Sequence, residues 1–259
     1  MSQEDDDTRS DPNDVTNLLV NMDVSVFRDR AYLEVEYTLT NQKSEAVDYE
    51  FWTPAAFSPT YPSESAMPAD TEIIMNHDEV SLYDWWNWMG QKETFLEADQ
   101  FGINPFGVYT FDALRDLENW DNVGIAYAYP ELEIPYFGAL NHRDGFGAMR
   151  TADDPDAAPG MKIWGGGNDS FMWALWSGVT PQFFLTERLE ANETRRWKEF
   201  YLPFANLEAV SHATKYGVAE VAFTRTDQSE EAMLRLSGTT PGESWSVEVY
   251  PVLEGLVQP

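Results

Sequence analysis

Between Val24 and Thr40 the chain alternates with a period of two. Leu33, Val35, Tyr37 and Leu39 fall on one face, and Tyr32, Glu34, Glu36 and Thr38 on the other. Alternation in β-branched and aromatic residues predicts strands with one buried face. Arg28-Asp29-Arg30 interrupts the pattern after Val24 and Val26 and predicts a hairpin turn. Short runs of similar character recur at Val47–Phe51, Glu72–Met75, Glu79–Leu82, Glu93–Ala98, Phe106–Phe111, Val123–Tyr129, Phe171–Trp176, Phe183–Leu189, Arg195–Leu202, Val218–Thr224, Ala232–Ser237 and Ser244–Pro251. Thr53 to Thr71 carries Pro54, Pro59, Pro62 and Pro68 and predicts a long irregular loop. Only Ala205 to Tyr216 has some helical character, and no long amphipathic helix, repeat or phosphate-loop fingerprint occurs. Many short strands with turn signals predict an all-β fold, an antiparallel β-sandwich.

Composition narrows what such a sandwich can meet. The 259 residues suffice for one large β domain, alone or with a small appendage. Sixteen basic residues against 45 acidic ones give a net charge of −29. Self-repulsion of that size disfavours compactness in dilute buffer and is relieved by salt, which points to a salt-adapted host. Phosphate recognition needs clustered Lys and Arg, so no nucleic-acid partner is expected. An anionic sugar would need a local basic spot, for which Arg143, Arg150 and Lys162 are available. Cysteine is absent, which excludes disulfides, thiolate catalysis and Cys-ligated zinc. No apolar run reaches membrane-spanning length, so no membrane insertion is expected.

The domain reading divides the chain in three. Residues 1–14 are an acidic disordered tail or linker, unlike a signal peptide. Residues 15–204 are the sandwich core. Residues 205–259 are a short helical segment and C-terminal strands that complete the sandwich or form a small extension. The sequons at Asn168 and Asn192 tilt the expected location toward the exterior or cell surface over the cytoplasm.

Chemistry-bearing side chains concentrate between Pro135 and Phe204. Trp164, Trp173 and Trp176 each supply a flat apolar face and one N–H donor, a combination suited to a sugar ring and equally to a sandwich core. In Gly-Met-Lys-Ile-Trp-Gly, Lys162 and Trp164 alternate, so a strand there puts both on one face. A strand end with a core Trp and a snorkelling Lys reads the same. Trp173 and Trp176 fall on opposite faces, so one of them belongs to the core. Trp85, Trp86 and Trp88 either pack under the sandwich or rim a groove. Asp153-Asp154-Pro155-Asp156 offers oxygen ligands of the kind calcium favours, but its spacing matches no recognised loop. No cofactor is therefore expected, calcium being the one ion the composition would suit.

The words YFGALNH, GAMR, PGMKIWGGG, ALWSGVTPQF and LEANETRRWKEFYLPF, preceded by VFRDRAYLEVEYTLTNQKSEAVDYEFWTPAAFSP and SLYDWWNWMGQKETFLEADQFGINPFGVY, resemble a family of bacterial and archaeal proteins. That family is related to the galactose mutarotase-like β-supersandwich proteins, and the match runs from Val20 to Phe204. The resemblance implies a supersandwich whose usual N-terminal strands are missing, and a carbohydrate-handling domain. It also implies that histidines and a carboxylate move protons on the sugar, work suited to a group titrating near neutrality. His142, after Asn141, is the best candidate for acid/base catalysis, with His77 a second site group; turn capping is the plain alternative for His142. His212 reads as structural. The family's glutamate base corresponds to Ala174, whose methyl group cannot take a proton, unless Glu187, Glu190 or Glu199 substitutes. The expected substrate-binding set is thus His77, Asn141, His142, Lys162, Trp164 and Trp176, with a carbohydrate as partner. The expected function is carbohydrate binding without secure catalysis. An epimerase-type enzyme using His142, or an assembly module of a cell-surface complex, possible as an oligomer, are the alternatives.

Overall fold

The computed structural model describes residues 18–57, 71–75, 79–83, 93–97, 108–110, 125–128, 136–165, 173–181, 185–225, 230–242, 244 and 246. In chain order the strands are β1 (Leu18–Val26), β2 (Leu33–Asn41), β3 (Val47–Tyr49), β4 (Trp52–Phe57), β5 (Thr71–Met75), β6 (Glu79–Tyr83), β7 (Glu93–Glu97), β8 (Val108–Thr110) and β9 (Ile125–Ala128). They continue as β10 (Tyr136–Asn141), β11 (Phe146–Ala152), β12 (Gly160–Gly165), β13 (Trp173–Gly178), β14 (Glu187–Leu189), β15 (Thr194–Ala205), β16 (His212–Thr214), β17 (Gly217–Arg225) and β18 (Glu230–Gly238). Every pairing among them is antiparallel.

A seven-stranded sheet runs β1-β2-β15-β11-β10-β5-β8, and a six-stranded sheet runs β4-β13-β12-β9-β6-β7. A three-stranded sheet, β16-β17-β18, and the pair β14-β3 complete the set. The central sheet is covered on both sides. Its inner face sends Val35, Tyr37, Leu39, Trp197 and Tyr201 against Phe51, Ala55 and Phe57 on and beside β4. Phe57 packs on Tyr201 with ring centroids 5.5 Å apart. Its opposite face sends Tyr136, Leu140, Met149, Phe200, Leu202 and Phe204 against Leu207, Val210, Ala213 and Val218. Strands buried on both faces lose their alternation, which explains why Tyr-Phe-Gly-Ala-Leu-Asn in β10 is buried along its whole length.

The all-β antiparallel expectation therefore holds, with three departures. Ala205 to Tyr216 forms no helix: Ala205 ends β15, and a loop and strand β16 follow, because Leu207, Val210 and Ala213 are drawn onto the central sheet. The Pro-rich loop starts later than expected, since residues 53–57 belong to β4. Proline is tolerated on an edge strand, where no ladder N–H is missed, and β4 is the edge of its sheet. Of the expected strand Phe183–Leu189, the described residues 185–189 are strand only over Glu187–Leu189, β14. The 1–14 tail, His77, Trp85, Trp86, Trp88 and Asn168 lie outside the described residues.

Between the two large sheets lies a buried polar cluster. Glu199 accepts hydrogen bonds from Arg150 Nη2 (2.9 Å), Trp197 Nε1 (3.0 Å) and Tyr201 Oη (2.8 Å). The Arg150 and Glu199 side chains are 2% and 0% exposed. The Arg150 guanidinium also stands over the Phe137 ring, 5.3 Å from its centroid. Burial, reinforced by the Glu199 charge, pushes the Tyr37 hydroxyl up to about 12 and the Tyr201 hydroxyl well above its ordinary value.

Candidate functional site

The site is built on the side of the six-stranded sheet turned from the inner layer. Strand alternation assigns the sides. Thr53, Ala55 and Phe57 belong to the inner side of β4, so Trp52, Pro54 and Ala56 belong to the other. The ladder then sets three rows across that outer side: Trp52, Gly178 and Gly160; Pro54, Trp176 and Lys162; Ala56, Ala174 and Trp164.

The first row explains two glycines. A Cβ on Gly178 would lie 2.3–2.4 Å from ring carbons of Trp52, and one on Gly160 would lie 2.5 Å from the same ring. The Trp52 indole thus lies across the backbone of two neighbouring strands, and only residues without a side chain admit it. Its Nε1 donates to Glu50 Oε1 at 2.8 Å, which sets the ring's orientation. In the second row Trp176 is half-buried and pairs directly with Pro54 and Lys162. Register therefore brings Lys162, Trp164 and Trp176 to adjoining positions of one sheet face, alongside Trp52, which was not among the expected site residues.

Asn141 and His142 belong elsewhere. Asn141 ends β10, fully buried, and builds the following turn: its Nδ2 donates to Asp144 Oδ2 (2.8 Å) and its Oδ1 accepts from the Asp144 amide (3.1 Å). Gly145, at φ 68°, closes that turn in the left-handed region, its amide donating to the Asn141 carbonyl. A hydrogen bond from Arg143, aided by one from Asn141, holds the Asp144 carboxyl below the usual carboxylate range. His142 Nε2 lies 3.0 Å from Glu72 Oε1, and the imidazole is 31% exposed. Glu72 stands opposite Leu140 and two residues from Ile74, both on the central sheet's far face. His142 and the Lys162–Trp164–Trp176 positions therefore occupy opposite sides of the central sheet and are not brought together. Sequence reasoning looked for sites along the chain, whereas the sides are decided by which sheet covers each strand.

The substitute bases and basic spot also resolve. Glu199 is sealed in the interior on three donors, out of reach of a ligand. Glu187 and Glu190 pair with Arg195 and Arg188. Ala174 occupies the third row of the indole face. Arg150 is interior and Arg143 chelates Asp144, so the two do not join Lys162 in a basic spot. In the acidic run, Asp154 caps a single 3-10 turn through its Oδ1 and Asp153 accepts the Lys198 amide. No group of three or more His, Asp or Glu residues is placed to hold a metal ion among the described residues.

No family model matches the sequence. Among solved structures, the chain is similar to the aldose epimerase homologue from C. elegans, with a TM-score of 0.53 and 11% identity, over 73% of this chain and 60% of that one. It is similar to a galactose mutarotase-like protein from Lactobacillus casei, with a TM-score of 0.51 and 12% identity, over 71% and 62%. The fold is the galactose mutarotase-like β-sandwich. The chain also matches a TPR-domain containing protein from Parabacteroides distasonis, with a TM-score of 0.53 and 14% identity, over 76% of this chain and 36% of that one. It thus spans less than two thirds of each neighbour's length, and at these identities the likeness is one of fold.

Proposed function

We propose that this domain binds carbohydrate on the outer side of the six-stranded sheet. The observation that carries the proposal is the Trp52 indole laid across Gly160 and Gly178 in the row beside Trp176. Broad indole faces suit the apolar face of a sugar ring, and an indole seated on backbone loses little freedom when a ring stacks on it. Lys162 and Trp164 hold the adjoining register positions of that face. The mutarotase-like fold adds support, since a galactose mutarotase-like protein and an aldose epimerase homologue share it. Mutarotation itself is not part of the reading, because Ala174 stands where the family resemblance calls for a base.

The test is glycan binding by the wild type and by Trp52→Ala, Trp164→Ala and Trp176→Ala, in molar salt. Trp52→Ala and Trp176→Ala each weaken binding about tenfold or more, the loss of a stacking face. Undiminished binding by both variants, with cooperative unfolding retained, would overturn the proposal. The His142–Glu72 pair keeps one enzymatic alternative testable. Catalysed anomer exchange of an aldose, lost in His142→Ala and retained in Trp52→Ala, would move the function to the other side of the molecule.

A further inference from the structure

A cavity of about 270 Å³ opens where the end of β11 and the middle of β15 meet the turn between β16 and β17. Lys215 and Tyr216 form that turn, and Phe200, His212, Thr151 and Asp153 contribute to the walls. It lies on the far side of the central sheet from the indole face, and nothing in the sugar-binding proposal uses it.

Lys215 is the unusual element. In a chain with 45 acidic and 16 basic residues, a lysine is expected to find a carboxylate. Lys198 does so, bonding Glu34 at 2.7 Å and Glu36 at 3.4 Å. The Lys215 ammonium instead stands over two rings, 5.3 Å from the Phe200 centroid and 5.4 Å from that of Tyr216. It makes no ion pair with a carboxylate among the described residues. Ring faces hold a cation without neutralising it, so its charge stays available to the cavity.

The surroundings are preorganised. Thr239, itself buried, fastens both turn residues: its Oγ1 donates to the Lys215 carbonyl and its amide to the Tyr216 carbonyl, each at 2.9 Å. The Tyr216 amide in turn donates to Thr214 Oγ1. His212 meets Tyr136 edge-on at 5.6 Å, and Tyr136 is anchored through its hydroxyl to the Ser211 carbonyl. Asp153 is tied to β15 by two hydrogen bonds with the Lys198 backbone. One cation, one imidazole and one exposed aromatic ring thus line a cavity of small-molecule size, with one carboxylate among its walls.

We infer that this cavity binds a small monocarboxylate carried on a ring, its carboxylate between Lys215 and His212 and its ring against Tyr216. Asp153 accepts from ligand hydroxyls and repels a second acidic group, so dicarboxylates are rejected. A sugar acid and a non-sugar ring acid share this chemistry, and the probes separate them.

The experiment follows the imidazole signals of the full chain by NMR during titration with glucuronate, benzoate and glucose at constant salt. Only three histidines are present, and the signal lost in His212→Gln assigns the one to be followed. The expected result is a saturable shift of His212 with at least one acid and none with glucose. Glucuronate alone identifies a sugar acid; both acids acting alike identifies a general ring-carboxylate site. Lys215→Gln weakens the response about tenfold or more, the loss of a charge-assisted contact, while Lys215→Arg retains it. The Trp52→Ala variant leaves it unchanged, so failure here is distinct from failure of the sugar face. Absence of any shift with both acids, an equal response to glucose, or full affinity in Lys215→Gln would overturn the inference.

Discussion

Replacing Glu199 by Gln perturbs the molecule where a charged pair is enclosed between its two large sheets. The side chain keeps its shape and an acceptor oxygen, but Arg150 loses its counter-ion at 2% exposure. Breaking a buried pair on one side costs about 3–5 kcal/mol, because the remaining charge is neither solvated nor compensated. With a urea dependence of about 3 kcal/mol per molar, the unfolding midpoint falls by about 1–1.7 M. The paired replacement Arg150→Met with Glu199→Leu removes both charges. It leaves Trp197 Nε1 and Tyr201 Oη without their shared acceptor, at about 1–3 kcal/mol each. The double variant is therefore less destabilised than the two single changes summed, which a double-mutant cycle measures. A second readout is tyrosinate absorbance: Glu199 helps hold the Tyr37 hydroxyl up at about 12, so Glu199→Gln lowers that titration. A midpoint within about 0.2 M of wild type, with an unmoved tyrosine titration, would show that the pair is solvated and the inner layer misassigned.

Three further predictions test other parts of the argument. The folded chain holds the Tyr37 proton more tightly than the unfolded chain does, since its hydroxyl is raised from 10.0 to about 12. Its contribution is complete below pH about 10 and about 2–3 kcal/mol is lost as the pH climbs to about 12, measurable as a falling denaturation midpoint. Gly178→Ala drives a methyl group into the Trp52 ring; about 1–3 kcal/mol of destabilisation and an altered tryptophan fluorescence are expected, together with weakened glycan binding. Asn41→Ala removes a fully buried amide whose Nδ2 serves the carbonyls of Glu45, Leu189 and Glu190, and about 1–3 kcal/mol is lost in chemical denaturation; a neutral outcome would mean that water takes over those carbonyls.

Much of the architecture was legible because alternation is a local property. The period-two pattern of Tyr32–Thr40 located β2 and its inner row without any knowledge of its partner. The β-class of the remaining runs followed from residue type and turn signals. Alternation fails where a strand is covered twice, as in β10, and there only the apolar run itself pointed to a strand. Ala205–Tyr216 misled for a related reason: its apolar spacing suits a helix, but contacts with the central sheet decide its shape.

The site was legible in part. Lys162 and Trp164 share a face because they are two residues apart in one strand, which the spacing alone implies. Their neighbourhood with Trp176 and Trp52 depends on the pairing of β12 with β13 and of β13 with β4, the last of which lies more than a hundred residues earlier in the chain. No local signal connects Trp52 with Gly160 and Gly178, or Glu72 with His142, or Lys215 with Phe200. By itself the sequence determined the antiparallel β-class, the acidic charge balance and the supply of indoles and imidazoles. Tertiary structure alone decided which of them meet, because the side of a sheet that faces a ligand is set by what covers the other side, and that covering comes from distant chain.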